Sequence, residues 1–205
     1  MVPPIIDGIL LAAGESRRMG FPKPLLRIDD ETFLRRTLSA MLAVVRNVIV
    51  VTGAHQARVA AEIPADSRVV AVHNPDFLRG QLSSLKRAIG ALSANADAAI
   101  VHLADHPLVQ RSTFEAVADE YAKRRSPIVI ARHHGRRGHP VLFGRDVFRE
   151  VLDAPEDQGA RFVVNADPSR VIYVDVADPG VTLDLDTPED LERAGLPCPP
   201  GARGG

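Results

Sequence analysis

The chain has no tryptophan, a single cysteine, and aromatics at only 4% of its 205 residues. Each shortage excludes something. One cysteine, Cys198, cannot close an internal disulfide, and in its Pro/Gly-rich surroundings it reads as an ordinary free thiol. Scarce aromatics leave little surface on which the bases of a single strand could stack. An excess of one charge is missing too. The 25 basic and 26 acidic side chains leave a net charge of -1, which disfavours nucleic acids and anionic membranes as partners. No apolar run approaches the roughly 20 residues of a membrane span. The N-terminus lacks the basic, apolar and cleavage-site succession of an export signal. The expected location is therefore the cytoplasm. A hydrophobic content of 45% and a charged content of 25% are ordinary for a globular chain of this length, which can bury a full core as one domain. That domain is expected over 1–196, with a disordered tail over 197–205.

Two nucleotide signatures are also absent. The P-loop needs four residues between its glycines and a lysine directly after the second. Here five residues separate Gly14 from Gly20, and Lys23 comes three positions later. The dinucleotide fingerprint Gly-x-Gly-x-x-Gly does not occur, which argues against an oxidoreductase built on a Rossmann sheet. What the chain does carry is Leu11-Ala12-Ala13-Gly14-Glu15-Ser16-Arg17-Arg18-Met19-Gly20-Phe21-Pro22-Lys23, directly after the apolar run Ile5–Leu11. A loop with glycines and clustered cations at the end of a buried strand suits a polyphosphate. Glycines let backbone N–H groups approach phosphate oxygens, and Arg18 and Lys23 supply the charge.

Apolar strands alternate with amphipathic helices along the first two thirds. Strands are predicted at 5–11, 47–52, 68–72 and 98–103, and helices at 32–43, 55–62, 83–92 and around 114–121. This is the pattern of βαβ units and a mostly parallel sheet covered on both faces. Ligands of such sheets bind at the carboxyl ends of strands, which here means after Leu11, Val72 and Leu103. Further on, 128–132 and 139–143 flank a glycine-bounded turn and read as a small β-hairpin extension. Helices are predicted at 145–152 and 157–165, strands at 170–176 and 181–185, and a short helix opening at Pro188. The expected fold class is α/β, a three-layer α/β/α Rossmann-like arrangement.

Asp105 follows the fourth strand beside Pro107, well placed to reach a metal; as a hard cation Mg²⁺ takes oxygen ligands, commonly one or two carboxylates plus substrate phosphates. In the predicted strand 181–185, alternation would put Asp184 and Asp186 on one face, where one could join Asp105 and the other cap the last helix. In the loop after Val72, Gly80 permits close backbone approach, and Gln81, Ser83 or Ser84 could hydrogen-bond a base or ribose at the start of a helix. His133, His134 and His139 lie around the hairpin turn without carboxylate or cysteine partners and do not read as a metal site. His55 and His102 have no identifiable partner in the sequence, and no nucleophile–base arrangement for covalent catalysis is visible.

These segments, taken in order, resemble the MobA-like NTP transferase family, and within it the molybdenum cofactor cytidylyltransferase branch. The resemblance rests on Leu11–Lys23, Val51-Thr52-Gly53, His73–Phe77 with Gly80, Leu103–Leu108, Gly138-His139-Pro140 and Leu183–Leu191. It implies a Mg²⁺-dependent nucleotidyltransferase fold that moves a nucleoside monophosphate from an NTP to a phosphorylated acceptor, most closely molybdopterin, with release of pyrophosphate. It implies catalytic roles for Lys23, Arg18 and Asp105. Nucleotide contacts would come from Leu11, Ala12, Ala13, Gly14, Ser16, Arg18, Lys23, Thr52, Gly80, Gln81 and Ser83. The metal would lie on Asp105 with Asp184 or Asp186, and His106 and His139 would line the acceptor pocket. The sequence Ala12-Ala13-Gly14, in place of the Ala-Gly-Gly of the guanylyltransferase branch, favours CTP, because the Ala13 methyl would lie near the base. His106 stands where many relatives carry Gln or Met, a departure that bears on the acceptor. Handover of the product to a molybdoenzyme is a further implication. A sugar-1-phosphate or other phosphorylated metabolite is the alternative acceptor. A non-catalytic nucleotide- or cofactor-binding chaperone is the alternative of another class.

Overall fold

A computed structural model describes residues 2–199. Strand β1 (Ile6–Ala12) is buried along its whole length and is an interior strand, third in order, of a seven-stranded sheet. Because side chains alternate across a strand, its residues feed two different cores. Ile6, Leu10 and Ala12 pack on one face against Leu34, Leu38 and Met41 of α1 (Phe33–Leu42) and Phe114 and Val117 of α4 (Arg111–Arg124). Ile9 and Leu11 pack on the other against Leu82, Leu85 and Ala88 of α3 (Gln81–Ile89), with Val151 of α5 (Phe148–Asp153) and Val163 of α6 (Arg161–Ala166). A sheet buried on both faces by helices is the three-layer arrangement expected from the sequence.

The remaining strands are β4 (Val48–Thr52), β5 (Val69–His73), β6 (Ala98–Leu103), β7 (Ile128–His133), β8 (Arg136–Gly144) and β9 (Val171–Asp175). The sheet order is β5-β4-β1-β6-β8-β7-β9, and only β8 runs against its neighbours. The hairpin β7–β8 thus lies within the sheet and widens it. Its turn residues His134 and Gly135 have φ of +46° and +75°, the paired positive values that a tight two-residue hairpin turn requires. Helix α2 (Gln56–Glu62) follows β4.

Three segments differ from expectation. The predicted strand 181–185 joins no ladder: residues 179–182 form a single helical turn and 183–186 run as irregular chain. Its alternating burial is real, with Val181 and Leu185 fully enclosed, but its backbone bonds to loops. Leu183 N donates to Gly180 O, and Leu185 N to Asp105 O at 3.3 Å. The predicted helix 157–165 is broken at Gly159, whose φ of +65° ends the turn 156–158 before α6 begins. A small ladder absent from the sequence reading, β2 (Arg27–Ile28) with β3 (Glu31–Thr32), turns through Asp29 and Asp30.

A third, smaller core gathers Met19, Leu26, Ile28, Phe33, Leu185 and Leu191, with Cys198 packed against it. It joins the Arg17–Lys23 loop to the last helix, α7 (Pro188–Arg193). Thr187 caps α7 in a reciprocal capping box with Asp190, so the capping role falls to Thr187 and leaves Asp186 free for other contacts. Of the tail expected to be disordered, 197–199 is irregular chain beyond α7, and 200–205 lies outside the described residues.

Candidate active site

Strand β1 delivers the 13–23 loop to the carboxyl end of the sheet. Ser16, at φ +55°, organises the loop: its carbonyl accepts from Met19 N and Gly20 N, and its hydroxyl accepts from Lys23 N at 3.0 Å. His55, for which the sequence offered no partner, lies 3.1 Å from the carbonyl of Glu15 through its Nε2. The loop closes over a cleft of about 440 Å³. Leu11, Ala12, Ala13, Gly14, Ser16, Arg18, Lys23, Gly80, Gln81, Asp105 and Asp186 all line it, so most of the expected nucleotide residues meet in one place. Phe77, Leu78 and Ser84 complete the wall opposite the loop.

Other expected residues are elsewhere. Thr52 is buried at the end of β4, paired in the sheet, and does not line the cleft. Ser83 turns its hydroxyl to its own loop, 2.8 Å from Gly80 O and 3.1 Å from Asp76 O, and accepts from Asn74 Nδ2 at 2.9 Å. Ser84 is the serine of this helix that reaches the cleft. Asn74 itself, buried and donating also to Ser84 Oγ at 3.0 Å, is a support the sequence reading missed.

The charged centre is compact. Lys23 Nζ lies 2.5 Å from Asp105 Oδ2 and 2.6 Å from Asp186 Oδ1. Arg18 Nη2 lies 2.7 Å from Asp186 Oδ2. Burial by itself would lower the Lys23 pKa, but the charges and hydrogen bonds of Asp105 and Asp186 outweigh it and hold the ammonium above its ordinary value. Asp184, expected on the same face as Asp186, instead accepts from His106 Nε2 at 2.7 Å. The reason is the missing strand. With Leu185 anchored to the Asp105 carbonyl, its two neighbours meet different partners.

His106 and His139 do not line the cleft as an acceptor wall would. They stand behind Asp105 in a cluster with His102, ring centroids 5.5 to 6.1 Å apart. Burial pushes His139 down to about 4, aided by the charge of His106, and pushes His102 well below its usual value. Burial would lower His106 as well, but its hydrogen bond to Asp184 and the nearby Asp105 charge raise it. Asp184 is lowered by the same hydrogen bond.

Among the described residues no group of three or more His, Cys, Asp or Glu side chains is arranged to hold a metal ion. Of the two carboxylates expected as alternatives beside Asp105, Asp184 is committed to His106, and Asp186 is the one that shares the cleft with Asp105. Asp105 and Asp186 nonetheless fit a magnesium ion that draws its other ligands from phosphates. Both are carboxylates on the cleft, and Asp105 Oδ1 is buried without a hydrogen-bond partner.

A family model described as the MobA-like NTP transferase domain matches residues 8–171. The chain belongs to the MobA-like NTP transferase family. As a MobA-like nucleotidyltransferase it is 27% identical over 189 residues to the molybdenum cofactor cytidylyltransferase of Escherichia coli, covering 92% of this chain and 95% of the relative. It is 29% identical over 203 residues to a protein of Paenarthrobacter nicotinovorans named nicotine blue oxidoreductase, covering 93% and 96%. Among solved structures, Rv0371c of Mycobacterium tuberculosis superposes with a TM-score of 0.80 at 30% identity, over 94% of this chain and 98% of that one. The same protein in complex with manganese superposes with a TM-score of 0.71, over 92% and 97%.

Proposed function

We propose that this transferase moves a nucleoside monophosphate, CMP in preference, from an NTP to the phosphate of a molybdopterin-type acceptor, working in the cytoplasm. The observation that carries the reading is the pairing of Lys23 and Arg18 with Asp105 and Asp186 at the edge of a cleft walled by residues 11–18. The E. coli relative's name supports both the nucleotide and the acceptor. Ala13, on the cleft wall where a branch specific for GTP would have glycine, supports CTP.

In this reaction an acceptor phosphate oxygen attacks the α-phosphorus. The bond from the α-phosphorus to the oxygen bridging the β-phosphate breaks, and pyrophosphate departs with the electron pair. No protein nucleophile is required, so catalysis consists of positioning and charge stabilisation. Lys23 and Arg18 hold the triphosphate oxygens, and Gln81 and Ser84 meet the nucleoside on the opposite wall. Mg²⁺ held by Asp105 and Asp186 would neutralise phosphate charge and polarise the α-phosphate. The product would pass to a molybdoenzyme.

The test is pyrophosphate release with Mg²⁺ and each of CTP, GTP, ATP and UTP, with and without molybdenum-loaded molybdopterin. Release with CTP only when the cofactor is present is the expected result. Turnover with a sugar-1-phosphate instead would replace the acceptor. Nucleotide binding with no release on any phosphorylated acceptor would replace the enzyme with a cofactor-binding chaperone.

A further inference from the structure

Strand β5 closes the sheet on one side without a guard. Edge strands are normally blunted by charge, proline or a bulge, because their free backbone groups offer a template to another strand. The opposite edge, β9, follows that rule: it ends on Asp175, whose carboxylate holds Arg132 at 2.6 Å. By contrast β5 reads Val69-Val70-Ala71-Val72-His73, with no proline and no Asp, Glu, Lys or Arg. Val70 is 46% exposed, and Ala71 is exposed beside it. The ladder to β4 decides which backbone groups remain. Val48 N donates to Arg68 O at 2.8 Å, and Asn74 N donates to Thr52 O at 2.9 Å, so the even-numbered residues of this stretch turn their backbone towards β4. The odd-numbered ones turn outward. Val69 N is taken by Asp66 O at 3.0 Å. The C=O of Val69, both groups of Ala71 and the N–H of His73 are left facing out.

We propose that β5 pairs with β5 of a second copy of this chain, antiparallel about a two-fold axis at Ala71, so that the sheet continues through a homodimer. The free groups match their own rotated image. Ala71 N–H meets the C=O of its twin in both directions, and His73 N–H of each copy meets the C=O of Val69 in the other. The same register sets Val70 of each copy opposite Val72 of the other in the close, non-hydrogen-bonded position, where apolar pairs stabilise a sheet. It also removes the exposed Val70 from water. No like charges oppose one another: Arg68 comes to face Asn74, and its guanidinium is already held by Asp66 at 2.8 Å. Because the paired strands run in opposite directions, the carboxyl ends of the two sheets point apart and both clefts stay open.

Sedimentation velocity of the full chain over a concentration series, with hydrogen exchange of the Ala71 and His73 amides, tests this. Wild type is expected to pass from monomer to dimer as concentration rises, with exchange at both amides slowing in step. Ala71→Pro deletes the central donor of each copy without touching the ladder to β4, since that N–H faces outward. It is expected to weaken the dimer by about tenfold or more, the scale of two net hydrogen bonds. Val70→Lys, which sets an ammonium in each Val70–Val72 pair, is expected to do the same. Thermal melting confirms that the variants are folded, and if one is not, the other carries the test. A wild-type chain that stays monomeric at every concentration overturns the inference. Slow exchange at Ala71 and His73 in such a monomer also overturns it, by showing that another part of this chain already covers the edge. A dimer that a folded variant leaves intact places the interface elsewhere and overturns it too.

Discussion

Asp105 is hydrogen-bonded on one oxygen only. Its Oδ2 holds Lys23 at 2.5 Å, whereas Oδ1 is buried with no hydrogen-bond partner, His106 Nε2 standing 3.9 Å away. A bare buried carboxylate oxygen is costly, and proteins retain such atoms where a ligand will satisfy them. Asp105→Asn keeps the shape and removes the charge. It should leave the melting temperature within a few degrees of wild type and lower pyrophosphate release by about 100-fold or more, the scale of losing a charge-stabilising group at a reacting phosphate. Near-wild-type turnover in that variant would take Asp105 out of the chemistry. The histidines behind it predict a pH effect. His139, held down to about 4, is neutral in the folded chain but takes up a proton on unfolding below its ordinary value near 6.5. Its share of stability is therefore complete above that value and is lost as pH falls from about 6.5 to about 4, by up to about 3 kcal/mol. His102 acts in the same sense. His106 acts in the opposite one, because its raised value means its contribution is present in acid and lost as pH climbs through that value. Stability should thus peak near neutrality. Melting curves from pH 4 to 8 should show a flatter acid limb for His139→Gln, and an unchanged limb would show that the ring is not held neutral.

At the scale of elements, what was legible in the sequence was what local pattern determines. Ile5–Leu11, Asn47–Thr52 and Ala98–Leu103 read as strands because their residues are apolar throughout, and all three are buried between helices. The loop from Ala13 to Lys23 was legible because its glycines and cations stand together in a pattern that packing a core does not call for. The segment 181–185 misled because burial alternates along it as in a strand, although the alternation comes from packing against loops. Sequence cannot show that the backbone there finds no ladder. Nor could it show that His106 would reach Asp184, far along the chain, or that Asn74 would hold Ser83 and Ser84. Those contacts depend on how separate elements dock. Gly138 is such a docking point. A Cβ there would lie 1.9 Å from the Val181 carbonyl, so β8 can approach the Val181 turn only without a side chain. Gly138→Ala should destabilise the fold by about 1–3 kcal/mol, the cost of overpacking. Because Val181 lies just before the segment that carries Asp184 and Asp186, it should also weaken Mg²⁺–nucleotide binding. Chemical denaturation and nucleotide titration of the same sample would check both effects, and a loss of stability with untouched binding would separate the turn from the site.

At the scale of the whole molecule, the residues matched by the family model stop at 171, yet the site does not. The segment beyond Thr182 supplies Asp186 to the charged centre, Asp184 to His106, and Leu185 and Leu191 to the third core, where Met19, fully enclosed, ties down the 13–23 loop. The main sheet, its two large cores and the Asp178 carboxylate that accepts from Gln110 N and Thr113 Oγ1 at the start of α4 all lie outside that segment. The two parts are therefore separable in principle. Ending the chain at Thr182 should leave the far-ultraviolet circular dichroism of an α/β fold. It should also uncover Met19, Ile28 and Phe33, at a cost on the order of 3 kcal/mol or more for the apolar surface returned to water. Binding of Mg²⁺–CTP should then be lost, because Arg18 and Lys23 no longer have a seated loop beneath them or the second carboxylate beside them. A truncated chain that kept wild-type affinity would show that the sheet and loop alone form the nucleotide site. A truncated chain that could not fold would make the third core a requirement of the fold itself, with the phosphate loop as the part of the domain through which the last segment stabilises the rest.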